Sequence, residues 1–343
     1  MIEGHGDDSY RYDHPIVMNF SSNIYSHTDL RGLYAYLHER MEVLSAYPEP
    51  EATTLAAELA QWHHIDPDCV MVTSGATEAI YLTAHAYNGQ HAQVLQPTFR
   101  EYSDACVMNV CKVSAIYQLP TQCEKFRIDN GVDLLWICNP NNPTGNLLDK
   151  NYLQNLIEAN PQVTFIIDQS YEDFVMKPIF SASEALQYDN VMLLHSLTKR
   201  YCVPGIRLGY ITAAPHLLRH LRTHKMPWSV NALAIEAGHY LLEHGIGGVP
   251  PISDYLQEAQ RLRDSLIATG AVDVWETSTH FMLAQLRMGK ASALKDWLAM
   301  QHGILIRDAS NFDGLDNRFF RVAAQLPAEN DCLVAAINEW VMT

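Results

Sequence analysis

A chain of 343 residues, 48% apolar and 18% charged, has the composition of a globular protein and is long enough for one large core or two domains. Its formal net charge of −16 opposes nucleic-acid binding, which depends on neutralising phosphates with Lys and Arg. No apolar run approaches the roughly 20 residues that span a membrane, and the polar, acidic start "MIEGHGDDSYRYDHP" is not a signal peptide.

The cysteines (Cys69, Cys106, Cys111, Cys123, Cys138, Cys202 and Cys332) are odd in number and form no CxxC pair. A disulfide framework and a zinc knuckle are therefore not expected, and a reducing cytoplasm fits the chain best. The histidines show no HExxH spacing, so no metal site is expected.

Residues 1–38 carry little periodicity and read as an N-terminal arm that packs with a small C-terminal domain. From 39 to 235, apolar runs of strand length alternate with amphipathic segments of helical length. The strands are "CVMVT" (69–73), "AQVLQP" (92–97), "LLWIC" (134–138), "TFIID" (164–168), "VMLLHS" (191–196) and "RLGYIT" (207–212). The helices are "ATEAIYLTAHAYNG" (76–89), "DKNYLQNLIEAN" (149–160) and "PHLLRHLRTHK" (215–225). Near-continuous apolar strands imply a mostly parallel sheet covered on both faces, hence a large, doubly wound α/β domain. From 236 to 343, long helical patterns stopped by glycine precede short strands such as "HFMLAQL", "ILIRD" and "FFRVAA". This is a smaller α+β domain.

Ligands of open α/β sheets bind beyond the carboxyl ends of the strands. On that edge "CVMVT" runs into Ser74 and Gly75, "LLWIC" into "NPNNPTG" and "TFII" into Asp168 with Tyr171 following. "VMLLH" runs into Ser196, Thr198 and Lys199. Each element has a plain structural reading: an N-cap, a turn, a paired acid, a lysine whose stem lies along apolar surface. Their common edge argues for a ligand that needs them together. Pyridoxal phosphate is such a ligand. Its aldehyde takes a lysine as a Schiff base, and its ring nitrogen takes a carboxylate. Its phenolic oxygen takes neutral donors, and its phosphate takes a helix N-terminus, hydroxyls and an arginine.

In their order and spacing, "NPNNPTG", "DxxY", "SLTK" and "GIRLGY" resemble the class I/II aminotransferase superfamily of fold-type I pyridoxal-phosphate enzymes, over nearly the whole chain. The resemblance implies that Lys199 bonds the aldehyde, Asp168 pairs with the ring nitrogen, and Asn142 and Tyr171 contact the phenolic oxygen. Tyr102, in "PTFREY", would stack on the ring. Ala76, Thr77, Ser196 and Arg207 would hold the phosphate, and Ser74, Gly75 and Thr198 are further candidates for cofactor binding. Tyr47, in "AYPEP", would reach the phosphate of a neighbouring subunit, which implies a homodimer. The family's usual "DEAY" is here "DQSY", which spares Asp168 and Tyr171.

Within the superfamily, "MPWSVNALA" (226–234) and "ILIRDASNFDGLDNRFFRVA" (304–323) resemble the L-threonine-O-3-phosphate decarboxylases of cobalamin biosynthesis, and next the histidinol-phosphate aminotransferases. Both act on phosphorylated amines. Arg321 and Arg307 match anion-binding positions; their structural alternative is a salt bridge to Asp308 or Asp316, which is the expected reading for Arg318. "GHGDD" resembles an "HGG" element that would set His5 and Gly6 near substrate, with Asp7 in place of the second glycine. Asn23 matches a substrate-contacting asparagine. The reaction is therefore expected to be decarboxylation of a phosphorylated amino acid, with transamination as the alternative. A non-catalytic pyridoxal-binding regulator is a more distant reading. A dinucleotide-binding protein is not expected, because no GxGxxG follows the first strand.

Overall fold

Alternate side chains of a strand point to opposite faces, so a run apolar at every position needs cover on both. The computed structural model, which describes residues 7–118 and 126–342, supplies that cover. The large sheet takes β2 (Val70–Thr73), β3 (His91–Gln96), β4 (Lys112–Tyr117), β5 (Leu134–Cys138), β6 (Thr164–Asp168), β7 (Val191–Ser196) and β8 (Gly209–Ala213) in the order β2-β8-β7-β6-β5-β3-β4. In β5, Trp136 joins one core with Ile166 and Leu194, while Leu135 and Ile137 join another with Phe165 and Leu193. Each fully buried side chain of this size contributes roughly 1.5–3 kcal/mol.

The helices around this sheet are α1 (Arg31–Glu39), α2 (Thr53–His63), α3 (Gly75–Ala86), α4 (Glu101–Met108), α5 (Lys150–Glu158), α6 (Ala182–Ala185), α7 (Leu197–Arg200), α8 (Pro215–Arg222) and α9 (Ala232–His244). Strands β3 to β7 run parallel, and β8 is antiparallel to both β2 and β7. The reversal of β8 matters for the site. It brings the start of β8, with Arg207 just ahead of it, to the edge where β2, β5, β6 and β7 end.

Two differences from the sequence expectation concern this sheet. Strand β4, "KVSAIY", is an edge strand with both ends exposed, so it lacks the continuous apolar run of its neighbours. The segment "RLGYIT" does not begin a strand at its arginine: Arg207 takes a left-handed φ of 58° and pairing starts at Gly209.

The small sheet has the order β12-β13-β10-β9, all antiparallel, from β9 (Val272–Val274), β10 (Phe281–Leu286), β12 (Arg307–Asp308) and β13 (Phe319–Ala323). Helices α10 (Ile252–Ala268), α11 (Ala291–His302) and α12 (Pro327–Met342) share its core.

The described part of the arm, residues 7–38, packs against both halves of the chain, and its strand forms a separate two-stranded sheet. Strand β1 (Met18–Asn19) pairs with β11 (Ile304–Leu305), and Phe20 bonds Leu305 and Ala323 through its backbone. Beyond it, α1 sets Leu33 into the core shared by α2 and α9. The boundary expected at 235/236 falls inside α9, whose Ala237 and Leu241 pack in that same large-sheet core. Among the described residues no helix is long and apolar enough to cross a membrane.

Candidate active site

A cavity of about 260 Å³ opens at the carboxyl edge of the large sheet, facing the small one. It gathers Ala76, Thr77, Tyr102, Asn142, Asp168, Tyr171, Ser196, Thr198, Lys199, Arg207, Arg307 and Arg321. Ser74 and Gly75 sit just behind, at the N-terminus of α3. Asn23 is buried against the site, where its Nδ2 donates to Tyr171 Oη at 3.3 Å. Tyr47 lies outside the cavity, 86% exposed, with its ring 5.4 Å from that of Trp228. His5 and Gly6 fall outside the described residues.

One corner is built for a dianion. The guanidinium of Arg207 lies over Gly75, where a Cβ would come 2.6 Å from Nη2, and Gly75 also has a φ of +75°. A Cβ at Gly209 would meet the His195 carbonyl at 2.7 Å and the Ala76 nitrogen at 2.8 Å. Glycine at both positions therefore lets arginine and helix N-terminus share one corner. Ser196 Oγ and Thr198 Oγ1, 2.7 Å apart, add hydroxyls. Arg207 Nη1 donates to the Pro204 carbonyl at 3.2 Å, and among the described residues no carboxylate pairs with it.

A second group awaits a cation. Asp168 is 3% exposed and accepts from the Ser170 amide at 2.8 Å and from Tyr102 Oη at 2.7 Å. Burial raises its pKa against the pull of those bonds. A protonated ring nitrogen is the partner such a carboxylate lacks. The Tyr102 bond was not foreseen; the ring itself stacks on Trp136 at 5.4 Å.

Lys199 Nζ donates to the Ser22 carbonyl at 2.9 Å. Burial, then the charges of Arg321 and Arg207, push its pKa down to about 8. An amine so depressed is available as a nucleophile near neutral pH. Tyr171, pushed up to about 12 by burial, keeps its proton. Corner, carboxylate, lysine and neutral donors thus fit pyridoxal phosphate on their own chemistry.

Across the cavity stand two buried arginines. Arg307 and Arg321 lie directly opposite in the β12–β13 register, 6% and 4% exposed. Arg321 donates to Asn142 Oδ1 and to the Ser21 carbonyl, leaving Nε without a partner. Arg307 donates to the Asp308 carbonyl and to Asn311 Oδ1, both at 2.8 Å. Burial lowers both pKa values to about 10, and for Arg307 the neighbouring Arg321 adds to it. Among the described residues neither has a carboxylate partner. Asp308 offers its backbone oxygen, and Asp316 pairs with Arg318 at 2.7 Å. Adjacent buried cations without a counter-ion are costly, and an anionic ligand would relieve the cost.

Apart from Asp7, other contributors have no role assigned to them within the motifs that contain them. Phe99, Cys138, Ser170 and Phe312 line the cavity, as does Asp7. Asp7 holds a φ of 44°, so it keeps a backbone conformation that favours glycine, and its amide donates to Ser21 Oγ at 3.1 Å. The end of β5 at Cys138 was a readable signal; Phe312, in a loop, carried none.

The sequence model of the aminotransferase class I and II family matches residues 15–337. The crystal structure of an L-threonine-O-3-phosphate decarboxylase from Porphyromonas gingivalis superposes with a TM-score of 0.91 at 33% identity, covering 95% of this chain and 100% of that one. A threonine-phosphate decarboxylase of Salmonella typhimurium is 27% identical over 332 residues, 94% of this chain and 90% of that protein. A histidinol-phosphate aminotransferase of Thermoanaerobacter pseudethanolicus is 25% identical over 312 residues, 87% of this chain and 85% of that protein. With this match spanning both sheets and the residues of the cavity between them, the chain belongs to the aminotransferase class I and II family of pyridoxal-phosphate-dependent enzymes.

Proposed function

We propose that this enzyme removes the α-carboxylate of L-threonine-O-3-phosphate, giving (R)-1-aminopropan-2-yl phosphate for cobalamin biosynthesis. One observation carries the reading: two adjacent buried arginines, Arg307 and Arg321, lack carboxylate partners among the described residues and face the lysine across the cavity. A ligand with both a carboxylate and a phosphate supplies a counter-ion to each. The threonine-phosphate decarboxylases similar to this chain support the choice.

Bound pyridoxal phosphate supplies the electron sink for the bond that breaks at Cα. The chain supplies the rest. Asp168 holds the ring nitrogen's proton by charge, and the Ser170 amide and Tyr102 hydroxyl hold Asp168 in place. Asn142 and Tyr171 offer neutral hydrogen bonds to the phenolic oxygen. Lys199, with its lowered basicity, is the group that returns a proton to Cα once the carboxylate has left. Arg307 and Arg321 fix the anionic ends, with Asn23 supporting Tyr171 from behind. His5 and Gly6 belong to the same proposed substrate site by resemblance alone.

The working unit is proposed to be a cytoplasmic homodimer. Tyr47 is exposed beside Trp228; Met41, Leu44 and Met226 are exposed too, and in the partner's site Tyr47 would complete the phosphate corner. Within each chain the proposed division is an arm, a large cofactor-binding domain and a small C-terminal domain.

The deciding experiment measures carbon dioxide released from O-phosphothreonine by the cofactor-loaded protein. It is set against glutamate formed from histidinol phosphate and 2-oxoglutarate. Release without glutamate supports the decarboxylase. Glutamate formation without release replaces it with the aminotransferase, which the 25%-identical relative represents.

A further inference from the structure

Beside the cavity that gathers the site lies a second, of about 420 Å³. It is bounded on the large-sheet side by Gln96 and Ser103 and on the small-sheet side by Ser310 and Asn311. Among the described residues one side chain lines both cavities, that of Phe312. It is 4% exposed and packs with Leu283, Ala309 and Phe319. The Arg307 guanidinium lies 5.3 Å from its ring centroid, within cation–π range.

The loop is pinned on both sides of this ring. Asn311 Oδ1 accepts from Arg307 at 2.8 Å. Asp313 Oδ2 accepts from the Tyr117 hydroxyl of β4 at 2.9 Å. Gly314, at a φ of +88°, lets the loop pass where a Cβ would stand 2.9 Å from the Tyr117 ring. A ring held at both flanks and packed on its back acts as a fixed wall.

We propose that Phe312 sets the length of the substrate. Its ring closes the site beside Arg307, so a short phosphorylated amino acid fits and an amine phosphate that carries a further ring is shut out of the second cavity. That cavity's amide and hydroxyl groups, Gln96, Ser103 and Ser310, would hydrogen-bond an imidazole if the wall were removed. The proposal rests on the reading of Arg307 as an anion contact.

The test titrates the cofactor-loaded protein and its Phe312→Ala variant with O-phosphothreonine and with histidinol phosphate, followed by cofactor absorbance. For Phe312→Ala, histidinol phosphate should bind at least about ten-fold more tightly, the scale on which an apolar pocket wall discriminates, while O-phosphothreonine gains nothing. An equal change for both ligands overturns the proposal; disturbance of Arg307 alone would weaken O-phosphothreonine without any gain for histidinol phosphate. So does any outcome without a gain for histidinol phosphate. Should Phe312→Ala not fold, Phe312→Leu carries the same test. A gain of about three-fold in histidinol-phosphate affinity is then expected, and no gain overturns the idea. Failure of the unmodified protein to bind O-phosphothreonine strikes the substrate reading alone, because the wall is read from the gain in histidinol phosphate.

Discussion

Replacing Arg307 by methionine separates the two uses a buried arginine can have. Burial and the neighbouring Arg321 lower its pKa to about 10. At 1.36 kcal/mol per unit, the charged form is disfavoured in the fold by roughly 3 kcal/mol. Methionine fills similar space without that charge, but forfeits the hydrogen bonds to the Asp308 carbonyl and Asn311 at roughly 1 kcal/mol each. With the cation–π contact to Phe312 also lost, the expected net is a change within about 1 kcal/mol of either sign, visible as a melting point moved by no more than about 2 °C. Ligand binding should move the other way. A lost charge-assisted contact costs on the order of 1.5–3 kcal/mol, so O-phosphothreonine should bind ten- to hundred-fold more weakly. Thermal scans and absorbance titrations on the cofactor-loaded variant measure both. A melting point lowered by about 5 °C or more, with ligand affinity unchanged, would show a structural arginine and refute the argument.

Cofactor capture should rise with pH and level off above about 8, because the unprotonated Lys199 amine is the nucleophile; a rate still climbing steeply above pH 9 would contradict its lowered basicity. Lys199→Ala should yield no yellow, borohydride-reducible link, and persistence of that link would move the assignment elsewhere. Asp168→Asn should keep bound cofactor yet lose most turnover, since an amide cannot hold the ring proton by charge; near-normal turnover would remove its role. Gly75→Ala should weaken cofactor binding by about ten-fold or more through strain at φ +75° and collision with Arg207; unchanged affinity with an unchanged fold would show that the corner tolerates a side chain. Sedimentation at micromolar concentration should show a dimer, and a fully active monomer would end the shared-site proposal.

What could be read from the sequence tracks how local its cause is. Strands β5, β6 and β7 announce themselves because double-sided burial demands apolar residues at every position. The polar residues at their ends follow from the same strands, and the cavity brings them together. Edge strand β4 carries only a mixed pattern, since solvent takes part of its surface. Strand β1 is two residues long, too short for any period, and exists through β11 far away in the chain, while the expected strand "ILIRD" divides into β11 and β12 on two different sheets. The opposition of Arg307 and Arg321 is a matter of register, which composition does not encode. Likewise the carbonyls of Ser21 and Ser22 reach Arg321 and Lys199 across 300 and 177 residues, and a backbone oxygen leaves no mark in a sequence.

Those long separations also order the birth of the site in time. The contacts proposed for the cofactor within one chain fall between Ser74 and Arg207, on the large sheet. The two arginines opposite them emerge from the ribosome later, by on the order of ten seconds at about 5–20 residues per second. A nascent chain therefore carries every residue proposed for the cofactor within one chain before it carries either arginine of the anion clamp.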